Sequence, residues 1–352
     1  VGRLVVFAPN WLGDAVMALP AIADLRRGWS GGAIAVAARP SVASLFALAG
    51  VTDEVVTLKK GARPLRFEVA VLLPNSFHAA LVAKRAGIPE RWGYRTDWRG
   101  LLLTRAIERA SSGVHLHQVD YYRRLVEALG FPNGPAVPRL DASSEARAAG
   151  LRLLRDGGWD ERTPLVGLAP GAAYGAAKRW PPGFFAELAA SLAADGVVSV
   201  LIGSAADRGT AAEVASALAG RARVVDLVGK TDLPALAGVI VNCRTLVAND
   251  SGAMHFAVAL GVRVTALFGP NDERITGPWA PATRDPSSVR LHADGPAEAG
   301  HDVWATSRRP SVTVLTHDVW CRPCLLRECP LDHGCMRGIS VDQVLDSTRR
   351  ML

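Results

Sequence analysis

Short β-branched runs, each emptying into a turn and then a helical period, recur along this chain, and that alternation constrains its fold more than any other feature. "RLVVFAP" (3–9), "AIAVAA" (33–38), "EVVTL" (54–58) and "EVAVLLP" (68–74) read as strands. Helical spacing runs from about Asp14 to Arg27, over "PSVASLFALAG" (40–50) and over 75–87. The pattern restarts at "PLVGLAPGA" (164–172), with a helix over 182–196, strands over 197–204, 222–229, 244–250 and 262–270, and a helix over 251–261. Strands separated by helices pair in parallel and are covered on both faces. Residues 132–163, rich in Pro, Asp, Ser, Arg and Ala, carry a charged helix and read as a linker region. Two doubly wound α/β domains are expected, over 1–150 and 151–352. Residues 271–316 read as long surface loops plus a strand near "SVTVLT", and 340–352 as a final amphipathic helix begun by a Ser cap.

At 352 residues each half can bury its own core. No run approaches the roughly 18 to 20 apolar residues of a membrane span. "VGRLVVFAPN" reads as a first strand rather than a signal peptide, so a cytoplasmic location is expected. The formal charge is +7, and 35 of the 40 basic residues are Arg. With the richness in Ala, this reads first as codon bias and second as a basic face for an anionic partner. The five lysines therefore stand out, and Lys178 and Lys230 both lie in glycine-containing loops.

Ligands of open α/β sheets bind at the carboxyl ends of the strands, and four such corners carry candidates. "APGAAYGAAKRWP" (169–181) offers backbone amides and a mobile cation, Lys178, to phosphate oxygens; it also reads as an ordinary flexible loop, and fits neither a Walker A loop nor G-x-G-x-x-G. In "VANDSGAMHFAVALG" (247–261), Asp250 and Ser251 stand where a helix begins. They read either as caps or, with Gly252, as an anion site at the positive helix end, while His255 faces a ligand or packs. "GSAADRG" (203–209) places Gly203, Ser204 and Asp207 where a ribose or base could be touched. Together these suggest a nucleotide diphosphate held in the second domain. Asp14, in "APNWLGDAVMALPAI" (8–22), would repel a diphosphate but could take a proton from an acceptor hydroxyl; its other reading is a helix N-cap.

Cys321, Cys324, Cys329 and Cys335 form C-x2-C-x4-C-x5-C, with His333 inside and His317 just before. In a cytoplasmic chain such crowding favours metal over disulfides. A structural zinc site is one reading, an iron–sulfur cluster another, and reduced or redox-labile thiols a third.

The chain resembles the ADP-heptose:lipopolysaccharide heptosyltransferases of glycosyltransferase family 9. The resemblance rests on "NWLGDAVMALPAI", "VLLPNSFHAALVAKRAGIPERWGYR" (71–95), "APGAAYGAAKRWP", "IGSAADRG" and "VANDSGAMHFAVALGVRVTALFGP". It implies a GT-B fold, two Rossmann-like domains facing a central cleft, the first binding the acceptor and the second the nucleotide sugar. It implies inverting transfer of L-glycero-D-manno-heptose from ADP-heptose to the lipopolysaccharide inner core, without a catalytic cofactor. Asp14 falls on the family's proposed general base, Lys178 on its phosphate-neutralising lysine, and Asp250, Ser251 and Gly252 on its donor-binding segment. Gly171, Gly203, Ser204 and His255 complete the expected donor site. The acceptor, a heptosyl-Kdo-lipid A type lipid, implies peripheral contact with the inner face of the inner membrane, for which "KKGARPLR" (59–66) and residues 90–109 mix basic, Trp and Leu residues. The 271–335 region, with its cysteines, departs from the enterobacterial pattern.

A dinucleotide-dependent oxidoreductase is disfavoured because "APNWLGD" lacks the glycine fingerprint, and two further rival readings remain from the residues. One is a GT-B enzyme using a different nucleotide sugar. The other is a non-enzymatic nucleic-acid-binding protein, opposed by scattered Arg residues and the lack of any aromatic–basic strip; no nucleic-acid partner is expected.

Overall fold

The computed structural model describes residues 2–30, 32–58, 66–109, 116–279, 290–292 and 312–352. The chain divides into two compact units, Val1–Leu140 and Asp141–Leu352.

The first unit is built on six parallel strands in the order β3-β2-β1-β4-β5-β6: β1 (Leu4–Phe7), β2 (Ile34–Ala38), β3 (Glu54–Thr57), β4 (Val69–Leu72), β5 (Glu90–Tyr94) and β6 (Arg105–Ile107). The three central strands β2, β1 and β4 are buried throughout, as parallel strands covered on both faces must be. The helix expected over 14–27 is two helices, α1 (Leu12–Met17) and α2 (Leu19–Gly28). Pro20 in the first turn of α2 explains the break, since a proline ring clashes with the carbonyl four residues earlier and lacks the amide that would bond to it. The strands are joined through α3 (Pro40–Ala49) and α4 (Phe77–Arg85), and α5 (Gln118–Ala128) closes the unit. Asp24 on α2 is fully buried; it accepts bonds from Arg27, from Arg123 on α5 and from the Gly134 amide, which ties the end of the unit to its first helix pair.

The second unit holds seven parallel strands in the order β12-β13-β11-β10-β7-β8-β9. These are β7 (Leu165–Ala169), β8 (Val198–Leu201), β9 (Val224–Asp226), β10 (Thr245–Asn249), β11 (Arg263–Phe268), β12 (Arg290–His292) and β13 (Val312–Thr316). Its helices are α6 (Ser144–Asp156), α7 (Pro182–Ala194), α8 (Arg208–Leu218), α9 (Leu233–Ile240), α10 (Gly252–Ala259), α11 (Glu273–Thr276), α12 (Gly334–Arg337) and α13 (Val341–Met351). The division falls within the 132–163 stretch, and the charged helix expected there is α6, which belongs to the second unit. It packs against α9 so closely that a Cβ on Gly150 would strike the Gly238 backbone, and one on Gly238 the Ala146 carbonyl. Trp180 is fully buried beside Phe185, ring centroids 4.9 Å apart, and its indole N–H donates to the Ile339 carbonyl at 2.8 Å, joining the β7 loop to the C-terminal helices.

The expected long loops of 271–316 lie largely outside the described residues, as does 59–65. Among the described residues no helix is long and apolar enough to cross a membrane.

Candidate active site

Strand order concentrates the candidates. In the first sheet the chain turns back between β1 and β4, and in the second between β7 and β10. At such switch points the connections on neighbouring strands leave toward opposite faces and open a crevice at the carboxyl edge. Asp14 follows β1; Lys178 follows β7; Asp250, Ser251 and Gly252 follow β10.

The N-cap position of α1 belongs to Trp11, whose backbone is extended and whose side chain makes no cap bond. Asp14 lies inside the first turn, so the N-cap reading is corrected. A carboxylate there still interacts favourably with the helix amides. Asp14 is half-buried, and Tyr122 on α5 lies near it. Burial pushes the Tyr122 phenol well above its usual range, and the Asp14 carboxylate adds to the push. A phenol so shifted stays neutral beside the acid.

In the second unit Asn249, at the end of β10, is fully buried. Its side-chain oxygen accepts from the Trp180 amide at 3.0 Å, and its amide donates to the Pro170 carbonyl at 2.8 Å. One side chain thereby clamps both ends of the 170–180 loop. Lys178 is not the mobile cation expected. Its residue is 7% exposed, its Nζ lies 2.7 Å from Asp250 Oδ2, and it stands 4.8 Å from the Tyr174 ring centroid. Burial pushes the Asp250 carboxyl up, while Lys178 and Asn271 pull it back toward the charged form.

Ser251 occupies the N-cap position of α10 but makes no cap bond, and its hydroxyl is buried without a hydrogen-bond partner. A buried hydroxyl left unmatched beside free helix amides can hold an anion. Gly252 opens that helix, and His255 is buried one turn along it.

Other candidates have structural work. Asp207 accepts from the Ser204 amide at 2.9 Å and from the Ser204 hydroxyl at 2.7 Å, a closed capping box. Gly203 and Gly171 pack against Asp207, and an added Cβ on Gly171 would collide with its carboxylate. Ser204 and Gly171 thus have structural partners within the fold. Lys230 turns back to the Asp226 carbonyl at 2.7 Å.

The structure lends the zinc reading no support. Among the described residues no three His, Cys, Asp or Glu side chains gather as a metal-binding group, and the cysteines are free thiols. Cys335 is buried on α12 against Gly269, whereas Cys321, Cys324 and Cys329 ride half-buried on the preceding segment. Burial, with the neighbouring thiols adding to it, pushes Cys335 up to about 11.

The sequence profile of glycosyltransferase family 9 (heptosyltransferase) matches residues 55–293. The chain belongs to that family. The lipopolysaccharide heptosyltransferase 2 of Salmonella typhimurium is 30% identical to this glycosyltransferase over 305 residues, 80% of this chain and 87% of that protein. The E. coli ADP-heptose lps heptosyltransferase II structure superposes with a TM-score of 0.78 at 27% identity, covering 99% of this chain and 98% of that one. The family 9 glycosyltransferase of Veillonella parvula gives 0.79 over 99% and 97%, a likeness of fold at 19% identity. The GT-B expectation holds for this glycosyltransferase, with two parallel Rossmann-like sheets.

Asn249 and Tyr174 escaped the sequence reading. An Asn closing a fully buried strand is a detectable anomaly, because buried polar groups need partners. Nothing local marks Tyr174.

Proposed function

We propose that this glycosyltransferase moves L-glycero-D-manno-heptose from ADP-heptose to a heptosyl-Kdo-lipid A type acceptor of the lipopolysaccharide inner core, with inversion. The observation that carries the reading is the second unit's switch point, where Lys178, the partnerless Ser251 hydroxyl and the first amides of α10 gather. The likeness to a lipopolysaccharide heptosyltransferase 2 and to an ADP-heptose lps heptosyltransferase II supports the heptose donor and the lipopolysaccharide acceptor. Asp14 removes the proton of the acceptor hydroxyl. The acceptor oxygen bonds to the anomeric carbon as the carbon–oxygen bond to ADP breaks, and ADP leaves with the electron pair. Negative charge grows on the departing oxygen, where Lys178 and the α10 amides stabilise it. The displacement needs no cofactor, and no nucleic acid takes part.

The test is a panel of ADP-, UDP- and GDP-sugars against defined inner-core truncations, reading the released nucleotide. ADP release that requires ADP-heptose and a heptosylated acceptor is expected. Transfer from another nucleotide sugar alone would favour the rival GT-B reading.

Because the acceptor is lipid-anchored, the reading places the enzyme in the cytoplasm with peripheral contact at the inner face of the inner membrane. Trp98 and Leu101, in the β5–β6 turn, are 92% and 91% exposed. The turn is stiff: Arg99 between them is fully buried and donates to the Tyr94 carbonyl at 2.8 Å and to that of Pro74. Residues 90–109 carry four arginines besides the buried Arg99 against three acids, a small basic excess toward an anionic headgroup layer. The double variant Trp98→Ser/Leu101→Ser should bind phosphatidylglycerol vesicles at least about tenfold more weakly, since burying each side chain is worth roughly 1.5–3 kcal/mol. Unchanged cosedimentation would count against this contact.

A further inference from the structure

The cysteine-bearing segment has no part in the reaction just described, yet it is built into the Lys178 loop. The Tyr174 hydroxyl donates to the Leu325 carbonyl at 2.9 Å, and the Ala177 amide donates to the Arg327 carbonyl at 3.0 Å. The Arg327 guanidinium lies 5.1 Å from the Tyr174 ring centroid, and Lys178 Nζ lies 4.8 Å from the same centroid. Tyr174 therefore touches the segment through its hydroxyl and both cations through its ring.

Gly175 shows how close the fit is. Its φ of 164° is extended backbone open to any residue. Space demands the glycine, because an added Cβ would land on the Arg327 carbonyl oxygen. The segment is anchored behind this contact. The Leu325 amide donates to the Pro270 carbonyl at 3.0 Å, the Arg322 side chain donates to the Gly269 carbonyl at 2.8 Å, and Arg322 pairs with Glu273.

We infer that residues 325–327 are a clamp that positions the Lys178 loop, with Tyr174 as the positioning residue, so that docking of this segment and binding of a diphosphate are coupled. This rests on the reading of Lys178 as the donor-phosphate cation. Residues 171–177 are two glycines, four alanines and Tyr174, so the loop has little side-chain mass of its own to hold a conformation. If releasing the clamp leaves the competent loop about one-tenth populated, apparent affinity falls about tenfold. Reciprocity then requires a bound diphosphate to hold the clamp closed.

The experiment uses the full chain with ADP as probe. Gly175→Ala displaces the Arg327 carbonyl while keeping the Lys178 and Tyr174 side chains, and Tyr174→Phe removes the Leu325 bond while keeping the ring. Calorimetry is expected to show ADP affinity lowered about tenfold in Gly175→Ala. The thiol readout is maleimide labelling of Cys324 and Cys329 followed by mass spectrometry. ADP should slow labelling of the unsubstituted chain and lose that effect in both variants. Folded variants with unchanged ADP affinity and unchanged ADP protection would overturn the clamp. If Gly175→Ala fails to fold, Tyr174→Phe decides by the same two readouts. Unchanged ADP affinity in Lys178→Ala would instead overturn the donor reading itself.

Discussion

Asp14→Asn should leave a folded enzyme that binds ADP-heptose normally and turns over roughly 10²–10⁴ times more slowly. The substitution keeps the shape and removes the proton acceptor. Each tenfold loss corresponds to about 1.4 kcal/mol of barrier, so the expected deficit is about 3–5 kcal/mol. Loss of a charge in the first turn of α1 accounts for no more than roughly 0.3–1 kcal/mol of stability, so a thermal melt separates the two effects. Calorimetric donor affinity together with single-turnover transfer decides the matter. Retained turnover removes Asp14 from the base role.

Lys178→Ala should weaken the donor and slow transfer together, because the lysine acts on charge present in the bound diphosphate and growing on it as the bond breaks. Removing one preorganised interaction of this kind typically costs about 3–4 kcal/mol in the transition state. A second effect comes from the buried pair with Asp250. Truncating one partner strands the other charge, at about 3–5 kcal/mol of fold stability. Lys178→Ala/Asp250→Asn separates the two contributions. The double variant should regain much of the melting temperature, and none of the turnover. If it regains turnover as well, Lys178 serves only to neutralise Asp250.

The alternation of β-branched runs and helical periods was enough to expect two parallel α/β units, because period and burial are written locally. Strand order was not legible, since which strand lies beside β1 or β7 is a tertiary outcome. The crevices that bring Asp14, Lys178 and Ser251 to their sheet edges follow from that order. The break at Pro20 is legible as a helix start, although the apolar period runs straight through it. β5 and β6 are not legible because they carry exposed charged residues on the flank of the sheet. The glycines of the "APGAAYGAAKRWP" loop were read as room for phosphate. Gly171 also makes room for Asp207 and Gly175 for the Arg327 carbonyl, contacts set by distant parts of the chain. The cysteine spacing was enough to expect thiols near one another, and Cys335 does feel the other three, but no metal-binding group follows from it among the described residues.

The measurement that tests the central claim most directly is the configuration of the transferred heptose. One-bond carbon–proton coupling at the anomeric centre, recorded on the ADP-heptose supplied and on the purified glycolipid product, reads it without ambiguity. A single in-line displacement with Asp14 as base predicts inversion. Retention, or a covalent heptosyl-enzyme trapped on the way, would contradict it.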